Sequence, residues 1–84
     1  MDEKIEQVLD ILSEISEDYT VPKNIREKSK KISAILKSTE EEIRVNVDKA
    51  LQIMDEISED QNIPMYTRTQ IWSIASILES ITYK

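Results

Sequence analysis

Apolar residues recur at helical spacing in four stretches of the chain. Ile5, Val8, Leu9, Leu12 and Ile15 fall on one side of a helical wheel, and Ile43, Val47, Ala50, Leu51, Met54 and Ile57 do so again further on. Ile25, Ile32 and Leu36 form a second-stretch face, while Thr67, Ile71, Ile74, Leu78 and Ile81 form a fourth. Each stretch therefore reads as an amphipathic helix with one stripe to bury. Pro22 and Pro64 stand near the starts of the second and fourth, where a missing N–H costs nothing, with Thr20 and Asn62 before them as candidate caps. Thr39-Glu40-Glu41-Glu42 reads as a capping box whose acidic residues suit the positive end of a helix dipole. The pattern predicts helices near 3–17, 21–37, 40–59 and 63–82.

The chain also matches itself. Shifted by 42 positions, Ile11–Leu36 aligns without a gap on Ile53–Leu78, with 11 of 26 pairs identical. Glu14/Glu56, Ile15/Ile57, Ser16/Ser58, Glu17/Glu59, Asp18/Asp60, Pro22/Pro64, Arg26/Arg68 and Leu36/Leu78 are among them. A period of this size belongs to helix-pair units. Residues 1–84 are thus expected to form one domain of two hairpins, about 1–38 and 39–84. Short connections set consecutive helices antiparallel, so the expected fold is all-α, a compact four-helix bundle. The alternative is two stacked HEAT-like repeats, because a turn Asp, a Pro and then an Arg recur as Asp18, Pro22, Arg26 and Asp60, Pro64, Arg68. Stacked arrays generally need about three repeats for stability, which favours the bundle.

Composition narrows the chemistry. Cysteine and histidine are both absent from the 84 residues. The usual zinc ligands, thiolate nucleophiles and neutral-pH general base are therefore missing, and no enzyme activity, metal or cofactor is expected. No apolar run approaches the length of a membrane span, and Met1-Asp2-Glu3-Lys4 lacks the layout of a signal peptide, so a cytoplasmic protein is expected. The net charge of −6 argues against a protein that coats nucleic acid generally.

Four features remain as candidate functional sites. The repeated acidic blocks, Glu14–Asp18 and Glu56–Asp60, hold several carboxylates, but Glu14, Glu17, Glu56 and Glu59 flank the apolar stripes on the wet side and read as solvated. Arg26 and Arg68 are placed to reach back to Asp18 and Asp60, or to the free carbonyls ending the first and third helices, as two matching turn clamps. From Pro22 to Lys37, six basic residues stand against one acidic, a local charge of +5, leaving −11 elsewhere (5 basic minus 16 acidic). Lys23, Lys30 and Lys37 align there with Arg26 beside them, a basic stripe that reads either as a solvated face or as a footprint for an acidic partner. No aromatic residue or glycine-rich loop interleaves these lysines.

The repeat acts as a ruler on the fourth helix. Lys23, Arg26, Lys30 and Lys37 map onto Met65, Arg68, Trp72 and Glu79. Trp72 lies about 140° from the centre of the inward face, where its counterpart is a lysine. A Met65/Trp72 patch with Arg68 one turn away has the composition of a binding hot spot, unless Trp72 packs sideways against a neighbouring helix. Tyr19, Tyr66 and Tyr83 fall near predicted helix ends and carry no assigned chemistry.

Thr20-Val21-Pro22-Lys23-Asn24-Ile25-Arg26, Asp55-Glu56-Ile57-Ser58 and Asn62-Ile63-Pro64-Met65, followed by Arg68-Thr69 and Ile71-Trp72, carry a resemblance along the whole chain. The sequence is similar to an archaeal family of small helical proteins carried as uncharacterised, number one hundred and forty-seven in that series. Members tend to have a proline where this chain has Gln61. The resemblance implies an archaeal, cytoplasmic, helical protein and supplies no activity. The leading functional expectation is accordingly a non-enzymatic interaction module whose Met65/Arg68/Trp72 face binds a second copy or another protein. The alternative is a nucleic-acid or ribonucleoprotein accessory using Lys23, Arg26, Lys30 and Lys37.

Overall fold

The computed structural model describes residues 2–82, which form four helices: α1 (Glu3–Glu17), α2 (Lys23–Lys37), α3 (Ile43–Ser58) and α4 (Met65–Thr82). α1 starts on Asp2, whose carboxylate accepts the Lys4 N–H at 2.7 Å, with Glu3 and Glu6 placed favourably in the first turn. Its buried residues, Ile5, Val8, Leu12 and Ile15, follow the helical period. In α2 the buried series Ile25, Ser29, Ile32 and Leu36 includes one hydroxyl, which donates to the Ile25 carbonyl at 3.0 Å and so is satisfied locally.

The helices close into a ring. α1 packs on α2, α2 on α3, α3 on α4 and α4 on α1, while among the described residues the backbones of α1 and α3, and of α2 and α4, stand apart across the core. Shifting by one repeat turns the α2–α3 contact into the α4–α1 contact, as an approximate internal two-fold requires. Stacked HEAT-like units would set equivalent helices side by side, so the fold is the four-helix bundle. The closed ring buries the inner stripes of all four helices in one core, in which Val8, Leu12, Ile32, Val47, Ala50, Ile74 and Leu78 are inaccessible to solvent. Ile53 joins the core although the sequence pattern did not place it there.

The helix starts differ from those read in the sequence. α2 and α4 begin after Pro22 and Pro64, whose carbonyls accept the N–H groups of Arg26 and Arg68 at 3.1 and 3.0 Å. A residue before proline is held in extended conformations, which keeps Val21 and Ile63 out of the helices. Both are instead buried against the core. Thr20 and Asn62 do not cap; their N–H groups bond back to the Asp18 and Asp60 carboxylates at 2.9 and 2.8 Å.

The Thr39–Glu42 capping box does not form either. α3 begins at Ile43 behind Glu42, with no side-chain cap bond. The Ser38 hydroxyl accepts the Glu40 N–H, and the buried Asn46 amide donates to the Ser38 carbonyl at 3.0 Å, holding residues 38–42 in a non-helical turn. Ile43, expected in the core stripe, is 47% exposed because the helix starts there, at the open end of the bundle. Ile81 is half-buried at the same end, and with Ile5, Leu36 and Ile43 it lines a shallow apolar depression of about 320 Å³. No described residue has a positive φ or a cis peptide bond, so a chain without glycine makes its three turns from ordinary conformations.

Candidate interaction surface

The repeated turns come first, because they aim α2 and α4. Asp18 accepts both the N–H and the hydroxyl of Thr20, at 2.9 and 2.6 Å, and these bonds hold its carboxyl below the usual carboxylate range. Arg68 reaches across its turn and donates to the carbonyls of Ser58 at 3.3 Å and Asp60 at 2.7 Å, tying down the free end of α3. Arg26 does less: its Nε donates to the Val21 carbonyl at 3.1 Å, and its guanidinium lies 4.9 Å from the centre of the Tyr19 ring. Neither arginine pairs with its turn aspartate. The carbonyls that end α3 lack helical partners and draw Arg68, while an exposed carboxylate is already hydrated and gains little from an arginine; Arg26 reaches only the carbonyl ahead of α2, so the expected matching clamp on the end of α1 does not form.

These bonds withdraw both arginines, in part, from the surfaces where the sequence set them. Arg26 is half-buried and stands apart from the basic stripe, whereas Lys23, Lys30 and Lys37 are exposed and make no ion pair among the described residues. Tyr19 is 86% exposed at the end of that stripe, an aromatic that its sequence position did not mark. The four block carboxylates Glu14, Glu17, Glu56 and Glu59 are all exposed. Glu14 accepts a bond from the buried Gln70 amide at 3.0 Å, joining α1 to α4. Among the described residues no three acidic side chains converge as metal ligands.

The outer face of α4 is different in kind. Met65 is 77% exposed, Tyr66 68% and Trp72 62%. Trp72 stands at the rim of a groove between α3 and α4, lined also by Leu51, Asp55, Ser58, Ala75 and Glu79, with a volume of about 420 Å³. Arg68 and Glu79 are the only charged residues in the 18 of α4, and the other outward positions are Thr69, Ser73, Ser76 and Ser80. Tyr66 widens the patch at its N-terminal end; its signal in the sequence was its place in a helix nearly free of charge.

The fold and this surface together define a class: a small helical bundle with two repeat-related turns, each holding an arginine in its own way, and one charge-poor, aromatic outer face. The chain belongs to the Uncharacterised protein family (UPF0147), whose model matches residues 1–81. It is similar to the crystal structure of a protein of unknown function, MMP1188, at 45% identity and a TM-score of 0.89, over 93% of this chain and 89% of that one. It is also similar to a member of the same family from Thermoplasma acidophilum, at 33% identity and a TM-score of 0.88, over 93% of this chain and 92% of that one. No curated protein matches the sequence.

Proposed function

We propose that this chain is a non-enzymatic protein–protein interaction module of the archaeal cytoplasm, and that its contact surface is the outer face of α4 around Met65 and Trp72. One observation carries the reading. An indole and a thioether stand largely exposed on a helix with two charges in 18 residues, in a protein one third of whose residues are charged. Interfaces are enriched in Trp, Tyr and Met and depleted of charge at their cores, whereas a free helix face of a soluble protein normally carries charge. Self-association is the simplest form, because a domain this small has a limited core and gains stability by covering such a face.

Light scattering on the unmodified protein and on Trp72→Glu tests the reading, with circular dichroism as the check on folding. The unmodified protein is expected to exceed the 9.8 kDa of one chain, and the variant to fall back towards it while remaining helical. An assembled mass that the substitution leaves unchanged rejects the α4 face as the contact. A second reading rests on the exposed lysines of α2, which make no ion pair among the described residues and suit an anionic polymer. It requires RNA or DNA to bind at low ionic strength, where phosphate attraction is strongest, and fails if neither does.

A further inference from the structure

The internal repeat builds one outer groove twice. Between α1 and α2 lies a groove of about 380 Å³ lined by Leu9, Ser13, Ser16, Lys30, Ser33 and Lys37, with Ala34. Its counterpart between α3 and α4 is lined by Leu51, Asp55, Ser58, Trp72, Ala75 and Glu79, which are the repeat partners of those first six residues in order. The two have diverged in opposite directions. The first has lysines at Lys30 and Lys37, no acidic lining residue among those described, and otherwise Leu9 beside the small side chains of three serines and Ala34. The second has carboxylates at Asp55 and Glu79, no basic lining residue among those described, and the exposed indole of Trp72 where the first has Lys30.

We propose that copies of this chain associate head to tail, the Trp72 edge of one bundle seating in the α1/α2 groove of the next. The inference rests on the reading of the α4 face as a contact surface and names its partner. Trp72 supplies the projecting apolar group, and Ser13, Ser33 and Ala34 leave room for it. Lys30 and Lys37 then meet Asp55 and Glu79, and a lysine beside the indole adds a cation–π contact. Two α3/α4 grooves set face to face would instead oppose Asp55 and Glu79 with carboxylates of the same sign.

The ring order puts the two grooves on opposite edges of the bundle. A contact between them is heterologous, so it carries each new copy onward, into an open chain or a ring of several copies, and does not close at a pair. One groove buries little area by the standard of stable complexes, so the association is expected to be weak, concentration-dependent and sensitive to salt.

Sedimentation velocity from micromolar to millimolar protein tests this, with helicity checked by circular dichroism. The samples are the unmodified chain, Trp72→Glu, the double variant Lys30→Glu/Lys37→Glu, and an equimolar mixture of the two variants. The unmodified chain is expected to grow past a dimer with concentration and to shrink in high salt, and each variant alone is expected to stay monomeric. The mixture is expected to form one-to-one pairs that grow no further, because one partner keeps a working Trp72 edge and the other a working groove. The double variant Lys31→Glu/Arg44→Glu alters exposed residues outside both grooves and reaches the same net charge, −10 (−6 minus 4). It is expected to assemble like the unmodified chain.

If Lys30→Glu/Lys37→Glu assembles normally while Trp72→Glu does not, the α4 contact surface survives and its seat in the α1/α2 groove is wrong. Growth that stops at a dimer, or a mixture that stays monomeric, also overturns the head-to-tail arrangement. An unmodified chain that remains monomeric throughout ends the proposal and leaves the α4 face to a different protein.

Discussion

α2 and α4 occupy the same place in the two hairpins, follow turns of matching sequence and cover the same core, yet their outer faces have little in common. α2 carries seven charged residues in 15, six of them basic, while α4 carries two in 18. Inside, the correspondence is close: Ile32 with Ile74 and Leu36 with Leu78, all buried. The difference teaches where each constraint acts. Core positions answer to packing, which the two hairpins share through the approximate two-fold, whereas the outer positions answer to whatever lies outside.

The comparison breaks most severely if the shared core is unequal. Ile32→Ala and Ile74→Ala remove matched, fully buried side chains, and each is expected to cost about 2–5 kcal/mol in urea denaturation. Similar losses would show one core held equally by both hairpins; a trivial loss at either position would show that its hairpin contributes little.

The clamps come next. Arg68→Met gives up two carbonyl bonds and is expected to cost about 1–2 kcal/mol, against about half that for Arg26→Met, which gives up one such bond and the contact with Tyr19. Equal costs would mean that the two turns are held alike despite their different bonds.

A smaller effect runs the other way. Thr67 holds the place of Ile25, fully buried, with a hydroxyl that has no hydrogen-bond partner among the described residues. Thr67→Val keeps the shape and removes the stranded hydroxyl, so a gain of about 1 kcal/mol is expected in the same assay.

The smallest effect lies on the acid side of the stability of the first turn. Because the Thr20 bonds hold the Asp18 carboxyl below its ordinary value near 3.8, Asp18 contributes stability above that pH and loses it as the pH falls through the lowered value. Asp18→Asn should therefore flatten the acid side of the stability profile slightly. A profile identical to that of the unmodified protein would show that the turn does not depend on this charge.

Much of the fold was legible because helices leave local marks. The period of Ile5, Val8, Leu12 and Ile15, and the 42-residue register of the halves, mark four helices in two hairpins. The helix starts were less legible. Thr20, Asn62 and Thr39 are good caps by type, but Asp18, Asp60 and Ser38 bind the neighbouring N–H groups and hold those residues in turns. A preference for capping belongs to one residue, whereas the choice among several acceptors depends on the path of the turn.

The candidate surfaces divide along the same line. The sequence by itself determined the repeat, the inward faces, the lysines of α2 and the departure at Trp72, because each is a matter of order and spacing along one helix. Tertiary structure alone decided that the ring closes between α1 and α4, that Trp72 stays exposed, that Arg26 and Arg68 turn to backbone carbonyls, and that two repeat-related grooves of opposite charge lie on opposite edges. A helical wheel gives the direction of a side chain from its own axis, and only the packing of the other helices settles what stands in that direction.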